Sequence, residues 1–440
     1  MLKTLFGFDS SKHKIKTEII AGITTFLTMA YILAVNPSIF ADLGNILGED
    51  KGMPVNAVFT ATALAAIVGT LVMSIYAKKP FGLAPGMGLN AFFVYTVCVG
   101  MGYSWQFALT AILIEGFVFI ILSATKVRDA IVNSFPLGLK NAIGVGIGLY
   151  IAFIGLKNAG IIVNSEATAV TLGKFDDPAV LLAIVGFIIT SILVIRKIKG
   201  GMLLGILITT FIGIPMGITH LDKVASIPPS VDPIFCQFDW THIFTIDMLI
   251  VVFTFLFIDM FDTMGTVVGV SVKAGMIDEE GKVDGLSKIF MSDAIATTTG
   301  ACFGTSTTTT YIESSAGVAE GGRTGLTSFT IAVCFVLALF FSPLFLAIPN
   351  AATGPVLAIV GVMMCSPVRE IDWQDYSEAI PAFFTMLLMP LAYSISDGIM
   401  LGLIIYVFVN LFAGNFKKLN IAIYVLAALF IVHYVAMLYI

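Results

Sequence analysis

The sequence predicts an all-α polytopic membrane protein that crosses the bilayer about fourteen times. Three observations carry this expectation. The 440-residue chain is 58% hydrophobic and only 12% charged, against roughly 25% charged residues in soluble domains. Its apolar residues form long continuous runs, as helices require, without the alternation of a membrane β-barrel. Its few Lys and Arg divide unevenly between alternate loops, as membrane orientation demands.

Taken in order, the candidate spans are 17–36, 56–76, 104–124, 138–156, 179–195, 201–218, 243–268, 288–302, 323–347, 353–366, 378–395 and 397–414. Two further segments, 80–100 and 304–320, look broken. With the N-terminus inside and each broken segment counted as one crossing, nineteen of the twenty-three Lys and Arg fall on the cytoplasmic side. That set includes Lys12, Lys126, Arg128, Lys273, Lys282 and Lys418, whereas Lys51, Lys157, Lys174 and Lys223 fall outside. Dropping either broken segment scrambles the bias downstream. The last apolar stretch, 421–440, is long enough to span, and the sequence leaves open whether it crosses or lies along the bundle.

Several function classes are disfavoured. No basic patch supports nucleic-acid binding, and the net charge of −5 rests on few charges. Five scattered cysteines suit neither a disulfide framework nor a zinc site. The histidines His13, His220, His242 and His433 form no HExxH motif, and no nucleotide-binding loop is present. The glycine repeat Gly144–Gly155 lies inside a span, where close helix packing explains it. No metal and no cofactor are expected. The N-terminus is read as the mature start, because no small-residue cleavage site follows the first span.

The broken segments carry the chemistry. In "KPFGLAPGMGLNAFFVYTVCVG", Pro80 and Pro85 with Gly82, Gly86 and Gly88 preclude a helix at the start, and Leu89 to Gly100 reads as a half-helix. In "GTSTTTTYIESSAGVAEGG", Thr305 to Tyr311 is β-branched and reads as a strand, followed by a short helix from Ile312 to Ala319. Asn90 and Glu313 each sit where extended backbone turns into helix. Irregular backbone at membrane depth survives only when it is buried in protein or lines a cavity. Interrupted spans in corresponding halves mark a transporter's binding site. The two extended pieces can also satisfy each other's backbone groups by pairing.

Other intramembrane acids occur in "FLFIDMFDTMGTVVGV", where Asp259 and Asp262 are spaced i, i+3 on one helical face. Two carboxylates so close in low dielectric are read as an acidic pair that holds a proton. Asp293 is expected near the cytoplasmic end of its span in a structural role. Glu115 and Asp397 are placed near helix ends or interfaces and given no role.

Three motifs in order, "GLAPGMGLNAFF" (82–93), "FDTMGTVVGV" (261–270) and "GTSTTTTYIESSAGVAEGGRTGLT" (304–327), resemble the adenine/guanine/hypoxanthine permeases. These form the AzgA-like branch of the nucleobase/cation symporters, often called nucleobase–ascorbate transporters. The likeness extends to "TEIIAGITTFLTMAYILAVNP" at the first span and "FFSPL" after the eleventh. It implies a fold similar to bacterial uracil permease: two inverted repeats of seven spans, a core and a gate domain, and short strands in spans 3 and 10. The core would comprise 1–125 and 243–348, the gate 126–220 and 349–415, with 416–440 a C-terminal apolar segment. The site implied by the motifs consists of Asn90, Asp259, Asp262, Ile312, Glu313 and Ser314, with Asp262 as the proton-coupling residue. Phe92 or Phe26 is offered as a stacking ring. Uracil-type members carry Glu and His on span 8, where this chain has aspartates, which suits the purine branch. The expected function is proton-coupled import of purine nucleobases, hypoxanthine and guanine ahead of adenine, in a bacterial cytoplasmic membrane. An adenine-selective or a sodium-coupled member is the alternative. The partners are a purine nucleobase, a proton and the lipid bilayer, with a homodimer left open and nucleic acid excluded.

Overall fold

The computed structural model describes residues 2–125, 136–165, 168–221, 223–274, 276 and 283–437. Lys126, Arg128 and Lys282 of the charge count, and positions 438–440 of the last apolar segment, lie outside the described residues. The chain is mostly helical. Among the described residues, eight helical runs are long and apolar enough to cross a bilayer. Lipid-facing character is plainest in Pro178–Ile195, where only 28% of the apolar window is buried and Phe187, Ile188, Ile192 and Ile195 point outward.

The first helical run is longer than the sequence suggested, reaching from Ile15 to Leu47 with a break at Ala30 and Tyr31. Its far end stays helical because the acid there is satisfied. Asp42 accepts from the Tyr95 hydroxyl at 2.5 Å and from Asn158 Nδ2 at 3.0 Å.

Two sets of helices pack around different centres. Ile15–Met29, Val55–Val72, Trp105–Ala124, Leu286–Phe303 and Gly325–Ala338 pack on one another around the broken segments. Leu137–Asn158, Pro178–Ile195, Gly201–Gly213, Asn350–Met364, Tyr376–Leu391 and Ile395–Phe412 form the second set. Within it, the glycine repeat acts as the sequence suggested. A Cβ on Gly155 would stand 2.5 Å from the Gly354 carbonyl, and one on Gly354 would stand 2.5 Å from the Gly155 carbonyl. Only glycine lets these backbones meet. The helix Ile421–Met437 packs along Ile395–Phe412.

Both broken segments are extended and then helical. Strand β1 is Leu83–Pro85; β2 (Ile162–Ser165) and β3 (Ala169–Leu172) form a separate hairpin; β4 is Thr308–Thr310. The first half-helix starts at Met87, two residues earlier than Leu89, and continues in π-helical form over Phe92–Gly100. The second is Ser314–Ala319. β1 and β4 pair antiparallel, with Leu83 opposite Thr310 and Pro85 opposite Thr308. The pairing extends at both ends, through Gly86 N to Thr307 O and Tyr311 N to Gly82 O, each 3.0 Å. Strand residues buried this deeply must satisfy their backbone groups within the protein, and each broken segment is the other's partner.

Candidate functional site

The polar run ahead of Glu313 is fully buried, and its hydroxyls are bonded. Alternate residues of a strand point to opposite sides. Thr305 Oγ1 accepts from Asn36 Nδ2 at 3.1 Å, and Thr307 donates to Glu115 Oε2 at 2.9 Å. Thr309 shares a 2.6 Å bond with Thr263. From the intervening positions, Ser306 donates to Asn90 Oδ1 and Thr310 donates to Asp293 Oδ1 at 2.7 Å. The threonines thus do more than favour extended backbone. They tie the strand to four surrounding elements, and Glu313 follows directly at the start of the half-helix.

Glu313 is 9% exposed, and Oε1 accepts from the Tyr31 hydroxyl at 2.6 Å. Tyr31 stands at the break in the first helical run, where the chain is free to aim a side chain inward. Asp262 is on this side as well, acting electrostatically on Tyr31, Tyr311 and Glu313. Among the described residues, no Lys, Arg or His bonds to Glu313. Ile312 is 47% exposed beside it. Ser314 is buried, and its hydroxyl accepts the Gly82 N–H at 3.0 Å, so it secures the strand pairing. Asn90 is fully buried, with Oδ1 held by Ser306 and Nδ2 without a partner.

Asp259 faces elsewhere. Its strongest electrostatic neighbours are Glu115 and Asp293, with Asp262 the weakest. The expected Asp259–Asp262 pair thus belongs to a wider acidic group, in which Asp262 also interacts with Glu313. Asp293 is fully buried and satisfied, accepting from Thr263 at 2.5 Å and from Thr310 at 2.7 Å. Glu115 corrects another expectation: it lies mid-helix and fully buried, not near a helix end. The sequence held a signal for it, since Glu115 is the lone charged residue of Trp105–Ala124. Asp397 is in the first turn of its helix and accepts from Tyr434 at 2.7 Å. Tyr31 was missed, as nothing in its surroundings separates it from other interfacial tyrosines. The proposed stacking rings are otherwise engaged. Phe92 is fully enclosed and edge-on to Phe255 at 4.8 Å, and Phe26 is edge-on to Phe335 at 5.1 Å. Among the described residues, no group of three or more His, Cys, Asp or Glu is arranged to hold a metal ion.

A membrane protein whose two interrupted helices meet through a short strand pair, with acids gathered around them, has the architecture of a secondary transporter. The chain matches the model of the "Permease family" (Xan_ur_permease) over residues 16–401, and it belongs to that family, among the purine nucleobase permeases. It is 48% identical to a putative permease of Methanocaldococcus jannaschii, over 98% of this chain and 97% of that one. It is 43% identical to the guanine/hypoxanthine permease PbuG of Bacillus subtilis, over 99% of each. It is 41% identical to the adenine permease AdeQ of Escherichia coli, over 98% of this chain and 95% of that one. In fold it is similar to the transmembrane domain of the cyanobacterial bicarbonate transporter BicA, with a TM-score of 0.62 and 16% identity over 87% of this chain and 96% of that one. The protein is a multi-pass membrane permease and not an enzyme.

Proposed function

We propose that the protein imports purine nucleobases, hypoxanthine and guanine ahead of adenine, by proton symport across the cytoplasmic membrane. One observation carries the reading: Glu313 begins a half-helix that packs on the helix of Asp262, with no cationic partner among the described residues, while the fully buried amide of Asn90 lies in the other half-helix. A purine edge offers adjacent N–H donors to a carboxylate, and its carbonyl or ring nitrogen accepts from an amide. In this reading Glu313 takes purine N–H groups once Tyr31 yields its bond, and Asn90 Nδ2 donates to the base. Ile312 and Ser314 flank the site. Asp259, fully buried with Thr263 beside it, is not assigned to the substrate. Asp262 exchanges the coupling proton.

The two packing sets serve as core and gate, with fourteen crossings in two inverted repeats of seven and the last helix outside the repeats. Alternating access follows from the core sliding against the gate. An adenine-selective protein is the second reading, favoured by the 41% identity to AdeQ, close to the 43% to PbuG.

The test is uptake of labelled hypoxanthine, guanine, adenine, xanthine and uracil by cells lacking their own permeases. Vesicles with an imposed pH gradient, then a sodium gradient, follow. Uptake that follows sodium and ignores pH overturns the proton assignment. Asp262→Asn is expected to exchange bound base but not accumulate it.

A further inference from the structure

Two carboxyl groups that bond neither Tyr31 nor Glu313 are fully enclosed: Glu115 and Asp259. Each has one oxygen on the threonine wall. Thr307 donates to Glu115 Oε2 at 2.9 Å, and Thr263 stands 3.4 Å from Asp259 Oδ1. Each also has one oxygen, Glu115 Oε1 and Asp259 Oδ2, that meets no donor. Their helices, Trp105–Ala124 and Ile246–Ala274, pack on each other, and Thr263, which neighbours Asp259, bonds Thr309, two residues along from the Thr307 that bonds Glu115. The other ionisable groups acting on them are Asp293 and Asp262, both acids. Asp293 differs in having hydroxyl donors on both oxygens.

Two enclosed carboxylates with no cation beside them hold a proton strongly, because burial and mutual repulsion each oppose the second charge, which forms only when the proton is released to water. A proton between them resolves both problems, and it gives each orphaned oxygen a partner. A metal ion is the poorer occupant, since the cluster lacks a metal-holding arrangement.

We propose that Glu115 and Asp259 share one proton across their unpartnered oxygens, and that this pair stores the coupling proton, with Asp262 as its route to the substrate side. The proposal rests on the proton-symport reading. With the proton the pair carries one negative charge. On release the O–H bond breaks, its electrons stay on the carboxylate, the proton passes to cytoplasmic water, and the pair carries two negative charges. Thr307 transmits the change. Its hydroxyl bonds Glu115 while its carbonyl holds the Gly86 N–H at 3.0 Å, so one residue links the acid pair to both broken segments. Thr307 also directly precedes the strand that leads into Glu313.

The experiment uses the full chain in detergent and in liposomes. Infrared spectra should contain a protonated-carboxyl C=O stretch that Glu115→Gln and Asp259→Asn each remove and Asp262→Asn leaves in place. In liposomes, Glu115→Gln should retain counterflow of labelled hypoxanthine while a pH gradient no longer raises its internal concentration above the external one. A band insensitive to both substitutions overturns the shared proton. Wild-type accumulation in Glu115→Gln overturns the storage role, as does loss of counterflow together with a lowered unfolding temperature, which marks the pair as structural. Wild-type protein that ignores the pH gradient refutes the symport reading itself, a separate outcome.

Discussion

The two broken segments follow one plan with different materials. The first, 80–100, is made of proline, glycine and bulky apolar residues, and every side chain from Met87 to Cys98 is buried. The second, 304–320, opens on a run of hydroxyls that leads to Glu313 beside the half-exposed Ile312. The first half-helix runs on to Gly100, whereas the second is only Ser314–Ala319. Their packing differs too. A Cβ on Gly317 would stand 2.5 Å from the Ala21 carbonyl, so this half-helix lies on backbone. A Cβ on Gly88 would stand 2.6 Å from the Ile147 Cγ2 methyl, a side-chain atom rather than backbone. The first segment therefore serves as a largely apolar wall, and the second carries the charge. A strand partner needs only backbone groups, so the pair tolerates this divergence of side chains.

The sharpest way to break the comparison is Glu313→Gln. The substitution keeps the shape and removes the charge that Tyr31 bonds and that the proposed contact with purine N–H groups requires. Loss of a hydrogen bond to a charged group is worth about 1.5–3 kcal/mol, roughly a tenfold to hundredfold weaker affinity. Equilibrium binding of hypoxanthine checks it, and near-wild-type affinity would remove Glu313 from the site.

Next in size is the packing contrast. Gly317→Ala places a methyl group against backbone and should lower stability by about 1–3 kcal/mol, as overpacking does. Gly88→Ala should lower it by less, since the clash is with a single side-chain methyl group and not with backbone. Thermal unfolding in detergent measures both; a reversed order would mean that the first segment is the more tightly held.

Asn90→Ala tests the wall. Its unpartnered Nδ2 implies an effect on which purines compete, more than on whether transport occurs. Competition of unlabelled bases against labelled hypoxanthine reads the ranking, and an equal fall for every base would make Asn90 structural.

The smallest effect is expected far from both segments. Lys418 Nζ donates to Asp375 Oδ2 at 2.6 Å and to Glu378 Oε1 at 3.1 Å. The Lys418 hydrogen bond, followed by those from Ser377, lowers Asp375 from 3.8 to about 2. A depressed carboxyl stabilises the fold above its ordinary value and loses that contribution as pH falls through the folded one. Lys418→Ala should therefore cost no more than about 1 kcal/mol at neutral pH, since the group is screened by solvent. The difference from wild type should vanish as pH drops from 3.8 toward about 2. Uptake at neutral pH should be unchanged, and a large loss would mean that this end of the protein takes part in the cycle.

What the sequence determined by itself is local. Pro80, Pro85 and the glycines around them bar a helix, a run of β-branched residues favours a strand, and both effects act within a few residues. The strand followed by half-helix, the position of Glu313 and the close packing at Gly155 were legible for that reason. Tertiary structure alone decided the partners. Residues spaced i, i+3 lie about 60° apart on a helix of 3.6 residues per turn, so Asp259 and Asp262 could have shared a neighbour or faced different ones. Which occurs depends on where distant helices stand. Trp105–Ala124 brings Glu115 to Asp259, and the break at Tyr31 brings its hydroxyl to Glu313 across 282 residues of chain. Local propensity carries no information about such contacts, because each depends on the face that a remote span presents once the whole bundle has packed.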